Sequence, residues 1–199
     1  IINHGWRGLL VDGDERQIAF GRDFYARCKN TCAGPPTLVH AWLDAGNVSA
    51  FVRDHGFAGP MDLLSLDIDG NDYWIWRALD SIAPRVVVLE FNGACGPEAS
   101  VTMKYDPSFR LDLAVQPYRC GASLMAFTTL ARHKGYRLVG VQSLGFNAFF
   151  VKDGVLHTPL PDCFLDGITR RTVIGLAKQR GLKVIERAIM PEEMADFSE

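Results

Sequence analysis

The stretch MDLLSLDIDGNDYWIW, Met61 to Trp76, constrains the fold most: an apolar run breaks into three carboxylates, Asp67, Asp69 and Asp72, around a glycine. Such a run reads as a buried strand that delivers acids to its carboxyl end. One helical segment later PRVVVLEFNG repeats the pattern and ends in Glu90 and Asn92. Two strands joined by a helix then place polar groups at one edge, and in an open α/β sheet ligands sit at that edge. Aspartates after a strand also cap helices and close turns. Asp67 and Asp69 are read as ligand contacts, and Asn71 and Asp72 as caps.

The rest of the chain alternates in the same way. GLLVDGDE from Gly8 reads as a strand, Arg16 to Cys28 as a helix, Thr37 to Trp42 as a strand after the Pro35-Pro36 break, and Val48 to His55 as a short helix. A helix is predicted near Tyr73 to Asp80, with Pro84 breaking it before a strand at Val86 to Phe91. Gly93 to Arg119, with three prolines, is long for a connection and reads as a functional loop. Ser123 caps a predicted helix to Lys134, and YRLVGV and NAFFVKDGVLHT read as two neighbouring strands. Alternating strands and helices predict an α/β fold with a parallel sheet covered by helices.

Composition excludes several partners. The chain has 199 residues, 48% apolar and 22% charged, enough for a proper core, and a formal charge of −2 with scattered basic residues. That pattern offers no electrostatic footprint for nucleic acid or anionic membrane, and no apolar run reaches the length of a membrane span. A small-molecule partner and a cytoplasmic location are expected. Cys28, Cys32, Cys95, Cys120 and Cys163 are odd in number and are read as reduced structural thiols. The sequence begins at Ile1 and ends in MADFSE, and both ends read as cut.

From Gly5 to Lys152 the order GWRGLLVDGDE, MDLLSLDIDGNDYWIWRAL, PRVVVLEFN, YDPSFR, GASL, KGYRLVG and NAFFVK resembles the FkbM-type methyltransferases, class I enzymes dependent on S-adenosylmethionine. The resemblance implies a Rossmann-like class I methyltransferase sheet and methyl transfer to a small-molecule acceptor. It also implies that Asp12 accepts hydrogen bonds from the cofactor's ribose, the alternative being a turn before Gly13. Ala41 and Trp42 would border the adenine, with core filling as the alternative for Trp42. Asp67 and Asp69 would lie beneath the methionine part of the cofactor or the acceptor. There they would hold an ammonium, orient a hydroxyl or bind a divalent metal; no metal ligand set is assigned. DIDGND is not a calcium loop, because its glycine falls at the fourth position and Ala78 at the twelfth.

Asp69 and Glu90 are the expected catalytic groups, Glu90 as base, with His40 and His133 as alternatives. Tyr105, Arg110 and Tyr118 are the loop residues expected to reach an acceptor. The family pattern also requires a first strand and glycine-rich turn, which this sequence lacks, so the sheet is expected to be truncated between the strands at Leu9 and Leu63.

From Asp153 onward DGVLHTPLPDCFLDGITRRTVIGLAKQRGLKVIERAIMPEEMADFSE resembles part of a branched-chain aminotransferase, a fold-type IV pyridoxal phosphate enzyme with an α+β fold. In that family the GIT turn opens a helix whose amides bind the cofactor phosphate, here Ile168 and Thr169. The helix is predicted over Ile168 to Arg180, with Gly181 behind it. The lysine that carries the cofactor and the glutamate at its pyridine nitrogen belong upstream, where this chain has other sequence.

The chain thus divides into residues 1–152 and 153–199, with two partial coding regions meeting at Phe149 to Gly154. Methyl transfer by a complete parent is the leading expectation, with this chain inactive by itself. Branched-chain amino acid transamination with pyridoxal phosphate, or a non-catalytic chimera, are the alternatives.

Overall fold

The computed structural model describes residues 7–28, 35–112, 114, 121–152, 154–161, 166–179, 182–190 and 192–193. The mixed α/β alternation predicted from the sequence is present. In chain order come β1 (Leu9–Asp12), α1 (Glu15–Arg27), β2 (Thr37–His40), α2 (Val48–Asp54), β3 (Gly59–Leu66), α3 (Asp72–Ala78) and β4 (Ile82–Glu90). A short 3-10 turn at Gly93–Cys95 follows, then α4 (Leu124–His133), β5 (Tyr136–Val141), β6 (Asn147–Lys152), β7 (Val155–Pro159), α5 (Ile168–Gln179) and β8 (Lys183–Arg187).

These strands make three sheets. β1 and β2 form a parallel pair; β3-β4-β6-β5 form a four-stranded sheet; β7 and β8 form a second parallel pair. β3 and β4 run parallel, whereas β6 is antiparallel to both β4 and β5. NAFFVKDGVLHT therefore splits: its first half is β6 of the larger sheet, and its second half is β7, paired with β8.

The core lies on one face of the four-stranded sheet. Alternation puts Val87 and Leu89 of β4 and Ala148 and Phe150 of β6 on that face, all fully buried. α3 and α4 cover them with Ile75, Trp76, Phe127 and Ala131. Trp76 sits at the centre, its ring 5.5 Å from Phe150, 5.9 Å from Tyr136 and 6.3 Å from Phe127. α4 is held at its start by Ser123, whose hydroxyl accepts from the Ala126 amide as predicted. Beyond its end Lys134 donates to the carbonyls of Leu79 and Arg77, tying α4 to the end of α3. Burial lowers the pKa of that ammonium.

Pro84 does not precede its strand, as the sequence reading had it, but lies inside β4. Among the described residues its strand partner there is Met61 of β3, and β6 pairs with β4 from Val86 onward. A proline is tolerated in a strand where the ladder does not need its missing N–H, and the Pro84 carbonyl accepts from the Tyr136 hydroxyl at 2.8 Å. The strand predicted at Thr37 to Trp42 ends at His40, leaving Ala41 and Trp42 beyond it. Among the described residues no helix is long and apolar enough to cross a membrane.

Replacing Trp76 by Ala removes the ring on which three aromatic neighbours pack, and should cost about 3–5 kcal/mol. Phe20→Ala, at a ring 69% exposed on α1, should cost less than about 0.5 kcal/mol. Urea unfolding of both variants checks the contrast.

Candidate functional site

The carboxyl ends of β1, β2 and β3 open on one crevice of about 430 Å³, lined among others by Asp12, Ala41, Trp42, Asp67, Asp69 and Arg110. Five of the residues singled out from the sequence, Asp12, Ala41, Trp42, Asp67 and Asp69, thus meet in one place. The local reason is the turn after β3. Asp72 is buried, and its two carboxylate oxygens accept from the amides of Ile68 (2.8 Å) and Gly70 (2.9 Å). Asp69 adopts a left-handed φ of 61° in that turn, an energetic cost for a residue other than glycine. Neither residue caps α3 as the sequence predicts: Asp72 is the first helical residue and its carboxylate closes the turn ahead of the helix, while Asn71 occupies the N-cap position without a capping bond and instead donates to the Asp106 carbonyl at 2.7 Å.

That bond is one of several that fasten residues 103–111 as a strap beside the crevice. Trp74 Nε1 donates to the Met103 carbonyl, Trp42 Nε1 to the Pro107 carbonyl, and the Ala45 amide to the Tyr105 hydroxyl. Trp42 neither fills the core nor offers a free face. Its ring is 45% exposed, with the Arg110 guanidinium 3.1 Å from its centroid. Against Gly13 it lies so close that an added Cβ would stand 2.8 Å from the ring. Arg110 and Tyr105 are therefore occupied in holding the strap, and Tyr118 lies outside the described residues. Asp12 takes the turn alternative as well as lining the crevice, since its Oδ1 accepts from the Asp14 amide at 2.7 Å. His40 contacts the Gly13 carbonyl at 3.1 Å, and His133 is exposed at the end of α4.

Asp67, Asp69 and Glu90 form an acidic cluster with one oxygen from each within 4.8 Å of the others, a spacing that a metal ion could bridge. Burial, followed by the negative charges of Asp67, Asp72 and Asp69 and a hydrogen bond to Asp67, pushes Glu90 up to about 7. Burial and Asp67 also raise Asp69, and burial raises Asp72 against the pull of its amide donors. Near neutrality Glu90 is thus divided between its acid and carboxylate forms, the state that suits a group able both to give and to take a proton.

The second candidate site is the start of α5. Gly167 supplies the carbonyl that accepts the first helical bond, from the Arg171 amide at 3.3 Å. Gly167 has no side chain to cap the helix, and Ile168 is 82% exposed. The amides of Ile168, Thr169 and Arg170 form the first turn, where backbone donors lack helical acceptors. Arg170 lies beneath this turn, donating to Asp166 Oδ1 (2.8 Å), Glu186 Oε2 (2.8 Å) and the Pro159 carbonyl (2.9 Å). Arg180 and Gly181, predicted to end this helix, lie outside the described residues, as do Cys32, Cys120, Cys163 and MADFSE. Cys95 is a free thiol.

Comparison with known proteins decides between the two resemblances. Residues 141–199 match the family amino-transferase class IV. A probable branched-chain-amino-acid aminotransferase of Rickettsia bellii (strain RML369-C) is 57% identical over 51 residues, 26% of this chain and 18% of that protein. The branched-chain-amino-acid aminotransferase of Pseudomonas aeruginosa (strain PAO1) is 44% identical over 50 residues, 25% of this chain and 16% of its own length. The putative enzyme of Methanocaldococcus jannaschii is 48% identical over 50 residues, 25% and 17% of the two chains. The chain thus spans less than a fifth of the length of these relatives. No solved structure matches it.

These matches overturn the leading expectation. Methyl transfer is not supported as the reaction, nor S-adenosylmethionine as the cofactor; the family found is an aminotransferase family, and it points to pyridoxal phosphate. Physically, acids at strand ends flanked by helices are a property of many open α/β sheets, and a fold hosts many chemistries. The match begins at Val141, the last residue of β5, so β6 of the four-stranded sheet lies within the aminotransferase-like segment.

The raised Glu90 gives a pH test. A carboxyl group whose folded pKa exceeds its unfolded value of 4.5 binds its proton more tightly when folded. Its contribution to stability is therefore full below about 4.5 and is lost as the pH rises through about 7. Since Glu90 is partly solvated, the loss should be on the order of 1 kcal/mol. Glu90→Gln should flatten this part of the stability profile, measured by denaturant titrations between pH 4 and 8. Asp67→Asn should lower the Glu90 midpoint in a carboxyl NMR titration.

Proposed function

We propose that the segment from Val141 to Glu199 is the cofactor-phosphate-binding part of a pyridoxal phosphate-dependent branched-chain amino acid aminotransferase. The observation that carries this reading is the start of α5. It lies inside the family-matched residues, and it presents consecutive first-turn amides behind a glycine, with an exposed approach at Ile168. Such a helix start suits a phosphate, since unsatisfied amides and the helix dipole both favour an anion. The residues present therefore fit the phosphate end of the group, through the amides of Ile168 and Thr169.

Bound pyridoxal phosphate supplies the electron sink that amino-group transfer requires. This chain's own part is to hold and orient the phosphate. The covalent lysine is a separate matter. Among the described lysines, Lys104, Lys152, Lys178 and Lys183 are exposed, and half-buried Lys134 is engaged by the carbonyls of Leu79 and Arg77. We therefore assign the chain phosphate binding, with transamination of branched-chain amino acids belonging to an enzyme that brings that lysine. A small-molecule substrate and a cytoplasmic setting accompany this reading.

For residues 1–152 we infer a Rossmann-like sheet whose strand β6 also lies within the family-matched segment. The parallel pair β1-β2, unpaired to β3, and the order β3-β4-β6-β5 with antiparallel β6 support it. In its crevice Asp12, Ala41 and Asp67 are the ligand contacts, and Asp69 with the neighbouring Glu90 is the proton-handling pair, a second reading favoured by the position of Glu90 near 7.

The phosphate reading predicts that pyridoxal phosphate shifts the amide resonances of Ile168 and Thr169, and that inorganic phosphate displaces it. Pyridoxal without the phosphate should bind at least tenfold more weakly, since a charged hydrogen-bonded contact is worth about 1.5–3 kcal/mol. Equal binding of the two compounds, measured by fluorescence titration, would refute it.

A further inference from the structure

Asp166 stands two residues before the first helical residue of α5, and elsewhere in this chain several aspartates bind the amide two residues on. Asp12 accepts from Asp14, Asp14 from Arg16, Asp44 from Gly46, Asp106 from Ser108 and Asp112 from Ala114, at 2.7 to 3.0 Å. The preference is intrinsic to the short carboxylate side chain. By that habit Asp166 would close on the amide of Ile168, and its charge would be favourable at a helix start. Instead its Oδ1 is bound by Arg170 at 2.8 Å and its Oδ2 lies 3.4 Å from Arg171 Nε. Arg171 also holds the Asp166 carbonyl, through Nε at 3.1 Å and through its terminal nitrogen at 2.8 Å. Arg170 is anchored from behind: only 15% of its side chain is exposed, and its second amino group reaches Glu186 of β8 and the Pro159 carbonyl of β7.

We infer that Arg170, with Arg171, is a positioning residue that keeps the Asp166 carboxylate off the start of α5, so that its first amides stay open to an anion. The inference rests on the phosphate-binding reading and adds to it the residue that keeps the site available. A carboxylate seated on the Ile168 amide would occupy a donor the phosphate needs and repel the phosphate's charge. The arginine fork prevents both, because a planar guanidinium fixes the carboxylate in a set direction.

The test is a double-variant cycle read in two ways. Without any ligand, Arg170→Gln should release Asp166, and the Ile168 amide proton should move downfield as it gains an acceptor. Adding Asp166→Ala should remove both the acceptor and the charge and reverse much of that shift. With inorganic phosphate and with pyridoxal phosphate as probes, Arg170→Gln should weaken binding about three- to tenfold, the span of a charge at a helix end. Arg170→Gln with Asp166→Ala should recover most of the loss, and Asp166→Ala alone should bind at least as well as the parent protein. An arginine that merely holds the segment together would give no recovery in the double variant, and would make Asp166→Ala harmful; either result overturns the inference. So does an unmoved Ile168 amide in Arg170→Gln, even if the parent protein binds phosphate. A parent protein that binds neither probe overturns the phosphate reading itself, while the ligand-free amide shifts still report separately whether Arg170 restrains Asp166.

Discussion

The buried carboxylate of Asp72 is the contact on which the larger unit turns. By accepting the amides of Ile68 and Gly70 it bends the chain sharply at the end of β3 and starts α3 at once. Two consequences follow from that one bend. Asp67 and Asp69 are left at the rim of the sheet, and four residues further on Trp76 enters the core against Phe150, Tyr136 and Phe127. Burying the carboxylate is costly, as its raised pKa records, and the two amide bonds offset that cost. The acid cluster and the aromatic core are thus products of the same turn.

The same crowding of acids shapes the electrostatics of the crevice. Asp67, Asp69 and Asp72 leave Glu90, on the neighbouring strand, as the group that keeps a proton near neutrality. Like charges held close cannot all ionise; Asp72, though more deeply buried, is offset by its amide donors, and the proton settles on Glu90. Across the crevice the strap offers the opposite charge, but Arg110 spends it on the face of Trp42. The crevice is therefore acidic on the β3–β4 side and closed by a cation–aromatic contact on the β2 side.

Much of this was legible in the sequence, and the illegible parts have physical causes. The apolar runs ending in acids marked β3 and β4, and Ser123 marked the start of α4, because alternation and capping are local. Pro84 misled, since whether a proline is tolerated in a strand depends on which edge is paired, and pairing is not local. Asn71 read as a cap because nothing nearby reveals that Asp106, 35 residues on, would claim its amide group. The fate of NAFFVKDGVLHT was equally hidden: one apolar run feeds two sheets. The reaction was misread for a different reason. Motif order along a sheet carries a fold and not a reaction, and the comparisons match the C-terminal segment to an aminotransferase family.

Two aspartates near helix starts show how position decides what a carboxylate does. Asp72, the first residue of α3, has no cation bonded to it among the described residues, and turns inward onto backbone amides, sealing the turn. Asp166, two residues ahead of α5, meets Arg170 and Arg171 and is drawn outward, leaving that helix start open. The difference is not in the acid but in what stands about one helical turn later: Ile75 and Trp76 in one case, a pair of arginines in the other. A helix start whose carboxylate is turned inward is structural. One whose neighbouring acid is restrained by arginines keeps its amides available, and that is the condition an anionic cofactor needs.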